Sequence, residues 1–190
     1  TQHLDQFRLQ NIHSLSDEPL WRRVCERALR LLRVRSASGF LTGQARRQGA
    51  TVLHSHFGNV GWANLEAARR TGLKHIVSFY GFDVEYLPAV KPEWRERYRR
   101  LFEHVDRVLC EGPHMAQGVV RLGCAERKVR VHHLGVPLDE IRFAPRVWKS
   151  PEPLRVLIAA TFQEKKGIPY ALAALGRLRE RVPVAITMMG

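Results

Sequence analysis

Six short runs of β-branched and aliphatic residues recur along the chain: TVLHSHF (51–57), HIVSFY (75–80), RVLC (107–110), VRVHHL (129–134), LRVLIAAT (154–161) and VAITMM (184–189). Between most of them lie segments of helical length, GWANLEAARRTG, PEWRERYRRLFEHV, HMAQGVVRLG and PYALAALGRLRERV. No other feature constrains the fold as strongly. A strand, a helix and a further strand pack together as a right-handed βαβ crossover, so the repetition predicts an α/β protein. The expectation is Rossmann-like parallel sheets with flanking helices, doubly wound.

One segment breaks the alternation. GVPLDEIRFAPRVWKSPEP (135–153) holds Pro137, Pro145, Pro151 and Pro153 and has little periodic pattern, so it reads as a linker. Four strands precede it; two strands and one helix follow, too little to fold alone. The expected domains are 1–148 and 149–190, the second cut off early. Residues 1–48 read as mostly helical, without an opening strand or a glycine-rich loop.

Composition narrows the partners. The apolar fraction of 45% is that of a globular chain, and no run of 18 apolar residues occurs, so neither disorder nor a membrane span is expected. Three widely spaced cysteines, Cys25, Cys110 and Cys124, fit buried thiols in a reducing cytosol. The net charge of +13, from 31 Lys and Arg against 18 Asp and Glu, attracts phosphate in some form: an anionic lipid surface, a nucleotide or nucleic acid. No RNA-binding aromatic motif, zinc finger or helix-turn-helix pattern accompanies it, so nucleic acid is not the expected partner.

Polar residues at strand ends mark the candidate chemistry. In FYGFDV (79–84) an apolar strand ends in Tyr80, Gly81 and Asp83: Gly81 permits close backbone approach, and Asp83 accepts from ligand hydroxyls or caps a turn. His54 and His56 share one strand face. A zinc site would need a third ligand, for which no motif offers an Asp or Glu, so no metal is expected. His56, nearer the strand end, is the better cleft residue and His54 the better core histidine. In ATFQEKKGIPYAL (160–172) a strand ends near Thr161, Glu164, Lys165 and Lys166 occupy a short loop, Gly167 allows a tight turn and Pro169 opens a helix. Two ammonium groups beside a helix N-terminus suit a diphosphate; the alternative is two ordinary surface lysines.

Four motifs in order carry a resemblance. EKKGIPYAL, HSHFGNVGW, FYGFDV and the stretch LCEGPHMAQGVVRLGCAERKVRVHHLGVPLDEIRFAPR are similar to motifs of family 4 glycosyltransferases, which have the GT-B fold. The resemblance runs from about Val52 to Gly190. It implies a retaining transferase that moves a sugar from a nucleoside diphosphate donor, a substrate rather than a cofactor, to a glycan or lipid-linked acceptor in cell-envelope or exopolysaccharide synthesis. Residues 1–148 would then form the acceptor-side domain, lacking its first strands, and 149–190 the start of the nucleotide-sugar domain. Lys166 matches the lysine that holds the leaving diphosphate, with Lys165, Glu164 and Gly167 beside it. Thr161 stands where the family has an arginine, and Tyr80 where it has the histidine beside the transferred sugar. Asp83 and Gly81 match.

The expected catalytic residues are therefore Tyr80 and Asp83, with His56 lining the cleft. Two glutamates that hold the donor would lie beyond Gly190, so this chain alone is expected to be inactive. The resemblance and the charge place the protein in the cytoplasm, peripheral on the inner face of the membrane. A binding module with a degenerate site is the alternative, marked by Tyr80 and Thr161; a basic nucleic-acid-binding domain is a more distant one.

Overall fold

The computed structural model describes residues 12–31, 37–145 and 147–190. Two helices come first, α1 (Leu20–Leu31) and α2 (Ala37–Arg47). Then strands and helices alternate: β1 (Val52–His56), α3 (Gly58–Thr71), β2 (Lys74–Phe79), a π-helical turn (Phe82–Tyr86) running into α4 (Leu87–Val90), α5 (Glu93–His104), β3 (Arg107–Cys110), α6 (Pro113–Arg121) and β4 (Val129–Val131). The chain divides into two units between Gly135 and Val136, at the N-terminal end of the proline-rich segment. The second unit holds β5 (Leu154–Ala159), α7 (Ile168–Arg179) and β6 (Val184–Met189).

Parallel sheets flanked by helices are what the sequence pattern demands and what forms. The first sheet has the order β1-β2-β3-β4, all parallel, with Ser55 opposite Val77, Val77 opposite Val108 and Val108 opposite Val129. Because each strand is laid down beside the last, every right-handed crossover turns the same way. Helices α3, α5 and α6 accordingly pack against one face, the one carrying Val77, Phe79, Val108 and Cys110. Helix α2 packs on α3. Among the described residues the helices do not alternate between faces as a doubly wound sheet requires. The other face carries His54, His56, Ile76, Ser78 and Leu109 by the two-residue period.

The core is small and aromatic. Tyr98 and Phe102 of α5 meet Phe79 with ring centroids 5.2 and 5.6 Å apart, over a floor of Val77 and Val108 that is wholly buried. Helix α3 approaches closely because Gly58 and Gly61 lie three apart on its sheet side. A Cβ on Gly61 would stand 2.8 Å from a Val77 methyl, and one on Gly58 would collide with the Phe79 ring. Cys110 and Cys124 are buried free thiols, whereas Cys25 is exposed.

The second unit is a two-stranded parallel sheet, Leu154 opposite Val184 through Ala159 opposite Met189, joined by α7. None of its described residues is buried. No described helix is long and apolar enough to cross a membrane.

Candidate active site

The C-terminal ends of β1 to β4 enclose a crevice of about 100 Å³, lined by His54, His56, Ser78, Tyr80, Glu111 and His132 among others. Open α/β sheets bind ligands at this edge. The register brings the lining groups together: His56 pairs with Ser78, and Tyr80 follows two residues on along the same face. The His56 Nδ1 and the Tyr80 hydroxyl are 2.7 Å apart, and the His54 Nε2 lies 2.9 Å from the Ser78 hydroxyl. The two imidazoles stand 4.5 Å apart, centroid to centroid. Partial loss of hydration holds the His54 pKa below the usual histidine value, and the neighbouring His56 and His132 lower it further; the side chain is exposed and lines the crevice, where the sequence suggested a core histidine. Each of the paired histidines has one ring nitrogen committed to a hydroxyl.

Asp83 does not reach the crevice surface. Its side chain is fully buried, one oxygen accepting the Tyr80 N–H at 2.7 Å and the other the N–H of Gly58, the first residue of α3. Helix α3 has no side-chain cap of its own, so Asp83 caps it across the strand ends. Loss of hydration raises its pKa to about 6 despite the N–H bonds that favour the carboxylate. Its place in the site is that of a clamp on the Tyr80 backbone. Gly81 has helical dihedrals, φ −60° and ψ −37°, and open space where a Cβ would lie.

Between His56 and Gly58 the chain makes an uncommon turn. Phe57 has φ 69° and ψ 138°, a conformation that glycine takes freely and that costs another residue about 1–3 kcal/mol. Its N–H donates to the Ser78 carbonyl and its carbonyl accepts from the Gly61 N–H, both at 2.9 Å.

The lysine loop belongs to the second unit. Thr161 and the 3₁₀ turn Glu164–Lys166 are exposed, Gly167 takes the left-handed conformation with φ 66°, and Pro169 sits in the first turn of α7. Among the described residues neither Lys165 nor Lys166 has an ion-pair partner, so both ammonium groups are available to an anion. The structure thus gathers Tyr80, Asp83, Gly81 and His56 at one sheet edge and Thr161, Glu164, Lys165, Lys166 and Gly167 in one loop of the other unit.

Sequence reading passed over Ser78, Glu111, His132 and Phe57. The two-residue alternation that paired His54 with His56 also puts Ser78 on the face of Tyr80, Glu111 on that of Leu109 and His132 on that of Arg130. Nothing in the sequence marks the Phe57 dihedral.

A parallel α/β sheet with a polar crevice at its strand ends defines an open α/β domain. The model for Glycosyltransferase Family 4 matches residues 8–140, and the chain belongs to that family. It is 33% identical over 139 residues to WcaL of Escherichia coli K12, named as a colanic acid biosynthesis glycosyltransferase, covering 70% of this chain and 32% of that one. AmsK of Erwinia amylovora, named as an amylovoran biosynthesis glycosyltransferase, is 27% identical over 134 residues, with coverages of 70% and 32%. The chain therefore spans about a third of the length of the curated relatives it matches. Among solved structures, MurG of Acinetobacter baumannii superposes with a TM-score of 0.41 at 14% identity, over 81% of this chain and 45% of that one.

Proposed function

We propose that the chain is part of a retaining glycosyltransferase of exopolysaccharide synthesis, which moves a sugar from a nucleoside diphosphate donor to a glycan or lipid-linked acceptor at the cytoplasmic face of the membrane. The observation that carries the reading is the family match over residues 8–140, which spans the whole strand-end crevice. Two relatives named for colanic acid and amylovoran biosynthesis support the product class. The charge of +13 suits an acceptor on an anionic or pyrophosphate lipid.

In this reading the donor's diphosphate lies against Lys166 and the N-terminal turn of α7. As the bond from the sugar to the diphosphate breaks, negative charge builds on the departing oxygens, and a fixed ammonium stabilises that charge more than it stabilises the bound donor. Lys165 supplies charge where Thr161 stands in place of an arginine. In the first unit Tyr80 and His56 present hydrogen-bonding groups to sugar hydroxyls, and Asp83 holds the Tyr80 backbone in place.

The test is an amide NMR titration of the 190-residue protein with uridine and guanosine diphosphate. The Thr161–Gly167 amides move with one of the two nucleotides, and Lys166→Ala abolishes the movement while Lys165→Ala weakens it. If neither nucleotide moves these amides, the donor-binding reading is wrong. Movement without any transfer from the matching nucleotide sugar by the longer polypeptide would favour the degenerate binding module.

A further inference from the structure

Phe57 is a large aromatic side chain on a backbone that favours glycine; it packs against Tyr80 of the crevice lining and is 41% exposed. A residue selected for stability alone has no reason to be there: the conformation is strained and much of the ring faces solvent. Two backbone hydrogen bonds, to Ser78 and from Gly61, hold the backbone in this conformation. It leans on Tyr80 with centroids 4.7 Å apart and ring planes 47° from parallel. Strained backbone of this kind collects where a side chain must be presented to a ligand.

We propose that Phe57 and Tyr80 form a stacking platform for one pyranose ring of the carbohydrate substrate, whose edge hydroxyls enter the adjoining crevice; this rests on the transferase reading above. The C–H groups on one face of a pyranose carry partial positive charge, and the face of an aromatic ring is negative, so the two attract while both lose hydration. The crevice supplies what the hydroxyl edge needs. Among the described residues the Glu111 carboxylate has no hydrogen-bond or ion-pair partner and can accept from a sugar hydroxyl. His56 and His132 line the same crevice and offer ring nitrogens.

The same chemistry selects against the other parts of a donor. A free carboxylate repels a phosphate, and a space of about 100 Å³ falls short of the several hundred that a nucleoside-sized ligand fills. A neutral, hydroxyl-rich ring is the ligand that fits.

Saturation-transfer NMR on the 190-residue protein tests the platform, with methyl glucopyranoside, methyl galactopyranoside, methyl mannopyranoside and uridine as probes. At least one pyranoside receives saturation, strongest at the C–H protons of one ring face, and uridine receives less. Phe57→Gly relieves the backbone and raises the thermal midpoint, yet cuts pyranoside saturation at least tenfold; Phe57→Tyr keeps it. A purely structural Phe57 would give the opposite pattern, a lower midpoint in Phe57→Gly with unchanged saturation, and that result overturns the proposal. So does the absence of saturation for every pyranoside, or a stronger uridine signal that Phe57→Gly abolishes. If the pyranosides fail while nucleotides still move the Thr161–Gly167 amides, the platform falls and the transferase reading stands. If the pyranosides bind and nucleotides do nothing, the first unit binds sugar and the donor reading falls.

Discussion

The carboxylate of Asp83 accepts the backbone N–H of Gly58, so the turn after β2 caps the helix that follows β1. A single buried side chain thereby ties together the two strand ends that carry His56 and Tyr80. Asp83→Ala leaves the Gly58 and Tyr80 N–H groups without acceptors in a site that water does not reach. The expected loss is about 3 kcal/mol of unfolding free energy, read from urea titrations followed by tryptophan fluorescence. An unchanged midpoint would mean that other acceptors replace the carboxylate.

Asp83 and His75 oppose one another in their response to pH. His75 is buried, with Nε2 3.0 Å from the Ser55 hydroxyl and Nδ1 unpartnered, and burial lowers its pKa from 6.5 to about 4 against the raising influence of Asp106. The unfolded chain therefore takes up a proton first as pH falls, and stability drops between about pH 6.5 and 4. For Asp83 the folded pKa of about 6 exceeds the ordinary 3.8, so its contribution is full below pH 3.8 and is lost as pH rises toward 6. Each swing is worth about 3 kcal/mol. The two nearly cancel between pH 4 and 6. Asp83→Asn should make stability climb with pH across that window, and His75→Gln should make it fall. Parental slopes in both variants would refute the assignment.

The strand pattern alone located every element of the first sheet to within a residue or two, except β4, which stops at Val131 where an apolar pattern through Leu134 had suggested more. Alternation of apolar residues records burial, and burial decides which runs become strands. The pattern has no access to what a polar side chain bonds with at the strand ends. Asp83 and Tyr80 look alike as polar punctuation after β2, yet one is wholly buried under two N–H groups and the other faces the crevice. The one-sided helix packing follows from strand order, which depends on which strands pair and is not written in any local stretch.

The glycine pair of α3 makes a packing prediction. Gly61→Ala puts a methyl 2.8 and 2.9 Å from the two Val77 methyl groups, which are fully buried and cannot swing away. Overpacking of this kind costs about 1–3 kcal/mol, partly offset by the roughly 1 kcal/mol that alanine gains over glycine in a helix. The expected net loss is about 0–2 kcal/mol. Gly61→Ala combined with Val77→Ala should lose less than the sum of the single changes, since the new methyl occupies space vacated by the valine. Simple additivity would place the contact elsewhere.

Limited proteolysis should find the junction between the units first. Described residues from 130 to 145 are all exposed, without strand or helix beyond β4 except one 3₁₀ turn, and Arg142 and Lys149 offer trypsin two sites. Cleavage at these residues should leave a resistant N-terminal fragment, while the smaller piece, with no buried described residue, is digested further. Initial cuts within 52–129 would contradict the division.

The last prediction concerns the proton on His56. Its Nδ1 lies 2.7 Å from the Tyr80 hydroxyl, and a phenol that donates to Nδ1 fixes the imidazole proton on Nε2, where it is a donor to a sugar oxygen. In ¹⁵N spectra of the parent protein at neutral pH, Nδ1 should show the shift of an unprotonated acceptor and Nε2 that of a protonated nitrogen. Tyr80→Phe keeps the ring beside Phe57 but removes the hydroxyl, so both His56 nitrogens should move toward the average of two exchanging tautomers. Tyr80→His retains a nitrogen donor at this position with a shorter reach, and should restore the tautomer only in part. Averaged nitrogens in the parent protein would show that the Tyr80 hydroxyl does not set the tautomer, and His56 would then lose its assigned role as an oriented donor.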